Sequence, residues 1–208
     1  MKRIAFCLLI LLSGLTSYSQ VKSIMLDNKD QITQDSTLAA TYAVFGKLTG
    51  DSLYTFKKFD WDGILLASGT FRDDSLKVPQ GKFTYYSWIT PDNNTVNYTY
   101  DIKGKERFVS LTGSFKDGQL HGRWISFYPD GIMKQVITYY KGISHGAFQF
   151  FDTRGKLQVS GLYISGQKHG VWIVDGGKQE NIYDHDKLIS TLRGKKLRDK
   201  QTQSKIVN

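Results

Sequence analysis

The stretch GQLHGRWISFYPDG, residues 118–131, sets the pattern for the second half of the chain. Its His-Gly step at residues 121–122 returns at residues 145–146 and again at 169–170, each time 24 residues on. A fixed period of about 20 to 50 residues is typical of a repeat architecture. The three histidines are therefore either a metal or catalytic array, or the same turn met three times.

The other positions that recur at this spacing are turn glycines and aromatic residues. They are Gly118, Gly142 and Gly166; Gly122, Gly146 and Gly170; Trp124, Phe148 and Trp172; Phe127 and Phe151; Gly131 and Gly155; and Tyr139 and Tyr163. Glycine accepts positive φ in tight turns, and aromatic side chains supply most of the packing area of a small core. We interpret these residues as structural repeat positions.

Periodicity inside one unit is two residues. Leu157, Val159 and Gly161 alternate along the segment that ends at Tyr163, and comparable alternations end at Phe71, Phe115 and Tyr139. This alternation is typical of a half-buried strand, and Asp-Gly steps such as that at residues 130–131 indicate hairpin turns. The sequence therefore predicts an all-β fold, an extended antiparallel β-meander of hairpin repeats of about 24 residues in a single twisted sheet.

The array is expected over residues 40–186, after a polar lead-in at 20–39. Gly81 and Gly122 are 41 residues apart, 17 more than one period, and the excess is assigned to a long hairpin insertion at about 89–107. An insertion of this kind is either the binding element of an array or a tolerated surface extension. Residues 187–208 are expected to form a basic, flexible tail.

The first 19 residues have the pattern of a secretory signal peptide. Two basic residues precede a run of twelve apolar residues, and small residues precede a predicted cleavage between Ser19 and Gln20. An uncleaved anchor is the alternative. The pattern predicts export to the periplasm or beyond. The single cysteine, Cys7, lies in this leader, so the mature chain would hold no disulfide and no cysteine metal site.

The positive charge is concentrated at the C-terminus. The chain carries +9, of which residues 190–208 contribute six basic side chains and one acidic one, a net +5. Such a segment either contacts an anionic membrane surface or polyanion, or is simply solvated. Nucleic acid is a poor candidate partner for an exported chain whose body has no basic patch.

Two consecutive units carry a resemblance to a known family. The units GRWISFYPDGIMKQVITYYKGISH and GAFQFFDTRGKLQVSGLYISGQKH resemble the bacterial variant of the MORN (membrane occupation and recognition nexus) repeat. The shared features are a Gly and an aromatic residue, an aromatic pair, a turn Gly, and a strand that ends in Tyr before a second turn Gly. The resemblance covers residues 113–170 and is looser over 42–88. It implies an extended meander used for scaffolding or for protein or membrane contact, with no shared catalytic residues. Some members are labelled antitoxins, a cytosolic role that predicted export argues against.

The repeated histidines do not have the spacing of a shared metal site. His121, His145 and His169 are two strands apart from one unit to the next, roughly 9 to 10 Å, whereas nitrogens on one zinc ion lie no more than about 4 Å apart. His185 breaks the period. We therefore expect no metal and no other cofactor.

Catalytic motifs do not stand out from the repeat pattern. G-x-S-x-G occurs at residues 142–146 and S-x-x-K at residues 165–168, but both coincide with turn glycines of the repeat, and a further S-x-x-K at residues 19–22 spans the predicted cleavage point. The sequence contains no phosphate-binding glycine loop. Its turn aspartates would need a cleft to work in pairs, and a thin repeat sheet offers none. We therefore expect that the chain is not an enzyme.

These observations favour an exported, non-enzymatic repeat protein that acts as an interaction or scaffold module and contacts a still unknown protein of the cell envelope. The alternative is peripheral membrane or polyanion binding through the basic tail. A toxin-neutralising protein and an envelope hydrolase are less favoured.

Overall fold

A computed structural model of the chain describes residues 21–48, 50–90, 92–93 and 107–206, with side chains described as far as residue 200. The predicted signal peptide and most of the predicted insertion lie outside these ranges. Of that insertion, residues 89–90, 92–93 and 107 are described. The Asn93 side-chain amide there donates to the Trp88 carbonyl at 2.8 Å.

Fourteen strands lie within the described residues, and they form one antiparallel sheet. The strands are β1 (Val21–Leu26), β2 (Ile32–Thr33), β3 (Thr41–Gly46), β4 (Tyr54–Phe59), β5 (Leu65–Phe71), β6 (Gly81–Trp88), β7 (Arg107–Lys116), β8 (Gln119–Phe127), β9 (Met133–Tyr140), β10 (Ile143–Phe151), β11 (Leu157–Ile164), β12 (Gln167–Val174), β13 (Gln179–Asp184) and β14 (Lys187–Arg193). From β3 to β14 each strand pairs with the next one in the chain, while β1 lies between β3 and β2 at one edge. The predicted meander is confirmed.

The sheet extends beyond both boundaries expected for the array. The polar lead-in contributes β1 and β2, and the tail contributes β14 and a helix, α1 (Gly194–Ile206). Leu197 anchors this helix, since only 3% of its surface is exposed. Lys200 forms an ion pair with Glu180 of β13. The structure therefore places the predicted tail in secondary structure up to residue 206, and an apolar anchor and an ion pair connect it to the sheet as far as Lys200.

Tight turns connect the strands on one side of the repeats. Each has two residues with positive φ, for example Lys141 (50°) and Gly142 (81°). Positive φ at both positions defines the type I′ turn, whose twist matches that of the flanking strands. Gly118 and Gly166 hold the same place in their turns. The amide of Gly142 donates to Leu120 of the preceding turn region at 2.9 Å, so successive turns are stacked.

Longer turns connect the strands on the other side. The Tyr128 amide donates to Ile132 at 2.8 Å, and the Asp152 amide donates to Lys156 at 2.9 Å, one period further on. Gly131 and Gly155 have φ of 84° and 75° in these turns. The Phe127 and Phe151 rings stand at the strand ends just before them. Both turns thus repeat in the structure as they do in the sequence.

One face of the sheet is filled by aromatic rings that lie over glycines. A Cβ atom on Gly161 would be 2.2 Å from the Trp172 ring, and one on Gly113 would be 2.1 Å from the Trp124 ring. Each indole also donates to a backbone carbonyl beside its glycine, Trp172 to Leu162 at 3.2 Å and Trp124 to Ser114 at 3.1 Å. Large rings can cover the sheet closely here because the residue beneath them has no side chain.

Candidate binding groove and histidine cluster

The His-Gly steps of the repeats are irregularities in strand pairing. The register between β7 and β8 shifts between Thr112 and Ser114, opposite this step, and comparable shifts occur at the other two repeats. Gly122, Gly146 and Gly170 all have positive φ, as the extra residue of a β-bulge requires. On the following strand they face Tyr139, Tyr163 and Tyr183.

The first two histidines of the series do not come together. The His121 ring centroid lies 5.7 Å from that of Tyr140, and the Tyr140 centroid lies 6.3 Å from that of His145. His145 also accepts a hydrogen bond from the Ser165 amide at 3.3 Å. Tyr140 lies between the two histidines, so the three rings form a row of contacts along the turns.

The third histidine has different neighbours. The His169 ring centroid lies 5.0 Å from that of His185, which is in the turn between β13 and β14. Asp184 lies beside both, with its Oδ1 atom 2.6 Å from His185 Nδ1 and 3.6 Å from His169 Nδ1. One ligand atom from each of the three residues falls within 4.8 Å of the others. The repeat spacing relates His169 only to His121 and His145, and His185 lies off the period, so the sequence pattern does not indicate this cluster.

A second feature is a groove of about 740 Å³ on the sheet face at the N-terminal half. Its floor is formed by the strands from β4 to β7, with Phe56, Ala67 and Phe83 among the lining side chains. These three residues are buried, and Phe56 belongs to the core cluster with Leu26, Ala43 and Phe45. The expectation that a thin sheet has no cleft is therefore corrected, because side chains from two further chain segments also line this part of the sheet.

The first of these segments is the loop of residues 72–79, termed here the wall loop. The Asp73 carboxylate accepts hydrogen bonds from the amides of Ser75 (3.1 Å), Lys77 (3.1 Å) and Val78 (2.8 Å) and from the Ser75 hydroxyl. These bonds lower the pKa of Asp73 to about 2. They hold a loop in which Leu76 has a φ of 56° and its side chain lines the groove.

The second segment is the hairpin of β1 and β2. Ile24 and Leu26 of β1 line the groove, together with Asp30 and Ile32. Asp30 forms an ion pair with Lys58 of β4, and both residues line the groove as well. The hairpin belongs to the expected polar lead-in, whose apolar residues are too few and too scattered to indicate a wall.

The polar groups in the groove do not form a catalytic set among the described lining residues. Asp30 and Lys58 are paired with each other. Burial raises the pKa of the Tyr85 phenol, and the Asp30 charge adds to this effect, so the phenol is neutral and can donate a hydrogen bond. A groove that combines apolar walls with few polar groups is suited to binding.

The predicted repeat positions and the groove occupy different parts of the molecule. The repeat residues Trp124, Phe148 and Trp172 pack on the sheet from β8 onwards, whereas the groove lies between β1 and β7. Phe83 and Gly69 continue the same packing scheme into the groove floor, where a Cβ on Gly69 would be 2.4 Å from the Phe83 ring. The sequence indicated the groove region only indirectly, because the match to the repeat is weaker over residues 42–88.

Comparison with known proteins adds no relationship to these observations. The chain matches no known protein family model, and no curated protein is significantly similar to it. The resemblance to the MORN variant therefore depends on the repeat units themselves. None of the helices in the described part of the chain has the length and apolar composition that a bilayer crossing requires.

Proposed function

We propose that this chain is a non-enzymatic interaction module of the cell envelope and that its groove receives an extended apolar segment of a partner protein. The observation that carries the proposal is the groove of about 740 Å³ with its apolar floor and walls. Its volume falls in the range of about 300 to 1,000 Å³ that is typical of ligand pockets. Export stays a prediction from the leader, and the MORN resemblance supports an interaction role.

The lining has the composition of a protein-binding surface. Tyr85, Tyr86 and Trp88 line the groove on β6, and Tyr and Trp are enriched among the residues that dominate binding energy. The ion pair of Asp30 and Lys58 supplies charged groups to the lining, and four hydroxyl side chains (Ser75, Ser87, Thr90 and Ser110) add neutral polar groups beside the apolar ones. A large apolar side chain of a partner would displace water from the apolar floor and leave the ion pair intact.

The edge of the sheet beside the groove favours an extended partner. β2 pairs with β1 only at Met25 and Leu26, so among the described residues no strand lies on that side of residues 21–24. A peptide can add to such an edge through backbone hydrogen bonds and direct every second side chain to one face. Ile24 lines the groove, so that face is the groove face.

Site-specific photo-cross-linking in intact cells tests the proposal. A cross-linking amino acid is introduced at Leu76, on the groove wall, or at Val171, an exposed residue of β12 that serves as the control. We expect a discrete protein adduct from position 76 and none from position 171. Mass spectrometry of the adduct then identifies the partner segment. An adduct of lipid or small-molecule mass, or equal adducts from both positions, would contradict a protein partner.

A groove-filling variant makes the test specific. Ser110→Trp places an indole in the groove, and Lys134→Trp places one outside it, one period of 24 residues further on. We expect the first substitution to abolish the adduct from position 76 and the second to leave it unchanged. Circular dichroism of both variants checks that the sheet is intact.

A further inference from the structure

We propose that His169, Asp184 and His185 form a binding site for a zinc-class divalent metal ion at the last tight turn of the sheet. The site is separate from the groove and from the proposed partner contact. Two imidazoles and one carboxylate are ligands that suit zinc, and hard ions such as Mg²⁺ and Ca²⁺ prefer oxygen ligands alone.

The distances fit a single ion after small side-chain movements. Donor atoms around zinc lie about 2.0 to 2.2 Å from the metal and so no more than about 4 Å apart. The donor atoms of the three residues are within 4.8 Å of one another. Side chains of Asp184 and His185 are 61% and 59% exposed, so they can rotate into position without disturbing the core.

The unused nitrogen of His169 points to a ligand. Its Nδ1 atom is shielded from solvent and has no hydrogen-bond partner among the described residues. A buried polar atom without a hydrogen-bond partner is unfavourable, and a metal ion would satisfy this one. The neighbouring Asp184 Oδ1 atom, 3.6 Å away, is beyond hydrogen-bond distance.

The turn that carries His185 is unusual in the series. The other two-residue turns of the array have glycine at their second position, whereas here His185 and Asp186 both have positive φ, 48° and 67°. Glycine would adopt this turn conformation more readily, but it has no side chain that could bind a ligand or secure the turn. Asp186 secures the turn on Lys168, whose amide donates to the Asp186 carboxylate at 2.8 Å and whose carbonyl accepts from the Asp186 amide at 2.9 Å.

The nearest lysine on the same strand is directed to aromatic rings. Lys168 Nζ lies 4.9 Å from the Trp172 ring centroid and 5.2 Å from that of Tyr183. Its charge is thereby stabilised by the two rings.

A metal bound to the cluster would join β12 to the turn between β13 and β14, and three protein ligands would leave one coordination position open.

Calorimetric titration of the mature chain with ZnCl₂ tests the site, with Co²⁺ absorption as a second readout of coordination. We expect one ion per chain. His169→Ala and His185→Ala should each weaken binding at least about 100-fold, since loss of even an outer-shell contact costs 10- to 100-fold. His145→Ala is the matched control, because His145 is one period from His169, and it should bind as wild type does.

Two further measurements keep the inference testable if His169→Ala fails to fold. His185→Ala and Asp184→Asn alter exposed side chains, and zinc should raise the unfolding temperature of the wild type but of neither variant. The Ser110→Trp groove variant should bind zinc normally, so failure of the groove proposal and failure of this one can be told apart. Absence of zinc binding by the wild type, or equal losses in His145→Ala and His185→Ala, would overturn the site.

Discussion

The two halves of the sheet use the same packing scheme with opposite results. From β8 to β13 the repeat is regular, and rings such as Trp172 lie directly on the sheet and are buried among side chains of the neighbouring strands. In the half from β1 to β7, side chains of the wall loop and of the β1–β2 hairpin line a groove together with the sheet. Regular repeats thus fill their own surface, and the groove lies where the regularity is interrupted.

Removal of a central ring should have the largest effect. Trp172 is 2% exposed and packs on Gly161, so Trp172→Ala is expected to lower the free energy of unfolding by about 3 to 5 kcal/mol. Phe56→Ala, in the groove floor, should cost less because the space it leaves opens into an existing groove. Urea denaturation followed by circular dichroism measures both. Equal losses would contradict the distinction between a filled and an open half.

A smaller effect is expected for the glycine below the ring. Gly161→Ala places a Cβ 2.2 Å from the indole, and overpacking of this kind typically costs about 1 to 3 kcal/mol. In a Trp172→Ala background the same substitution should cost almost nothing. Gly170→Ala is the control, because a Cβ there meets no atom within 4 Å and only its φ of 70° is strained. Its cost should be the same in both backgrounds; coupling of Gly170 to Trp172 as strong as that of Gly161 would refute the ring-on-glycine scheme.

The sequence predicts the fold in the regions where the 24-residue repeat is regular. The period of 24 residues predicts the strands, both kinds of turn and the pairing order, because each repeated glycine or aromatic residue reports a local backbone requirement. It does not predict β1 or β14, since their apolar residues are outside any repeat. Leu188 and Ile189 of β14 are more than half exposed, so that strand has no amphipathic pattern to recognise.

The two candidate sites were harder to predict for a physical reason. The groove depends on Leu76, whose position is set by the hydrogen bonds of Asp73 within the wall loop. The histidine cluster depends on strand register, which brings Gly170 opposite Tyr183 and so brings His169 close to the turn after Asp184. Both are contacts between segments without a common repeat, and a self-alignment of the sequence contains no information on them.

Loss of the Asp73 carboxylate should loosen the groove half of the sheet and leave the regular half unchanged. Asp73→Asn is expected to free the wall loop and weaken groove binding, whereas Asp152→Asn should loosen a turn of the regular half and leave groove binding unchanged. Acid should act on the wall loop in the same way. The pKa of Asp73 falls from 3.8 to about 2 on folding, so its contribution is complete above pH 3.8 and is lost as the pH falls to about 2. Amide hydrogen exchange at residues 75–78 measures the loosening, and protection that persists in Asp73→Asn would contradict it.

The smallest effect on folding is expected at the C-terminal helix, where the alternative function can be tested. Lys195 and Lys196 are exposed on α1, away from its buried anchor Leu197. Their joint replacement by Gln should leave the unfolding of both halves unchanged. If the helix contacts anionic membranes, it should also reduce co-sedimentation with vesicles that contain phosphatidylglycerol, because each cation near such a surface contributes about 1 kcal/mol. Lys57→Gln with Lys82→Gln, two exposed lysines of the groove half, is the charge-matched control. Equal vesicle binding by the wild type and both double variants would exclude these helix lysines as a membrane contact.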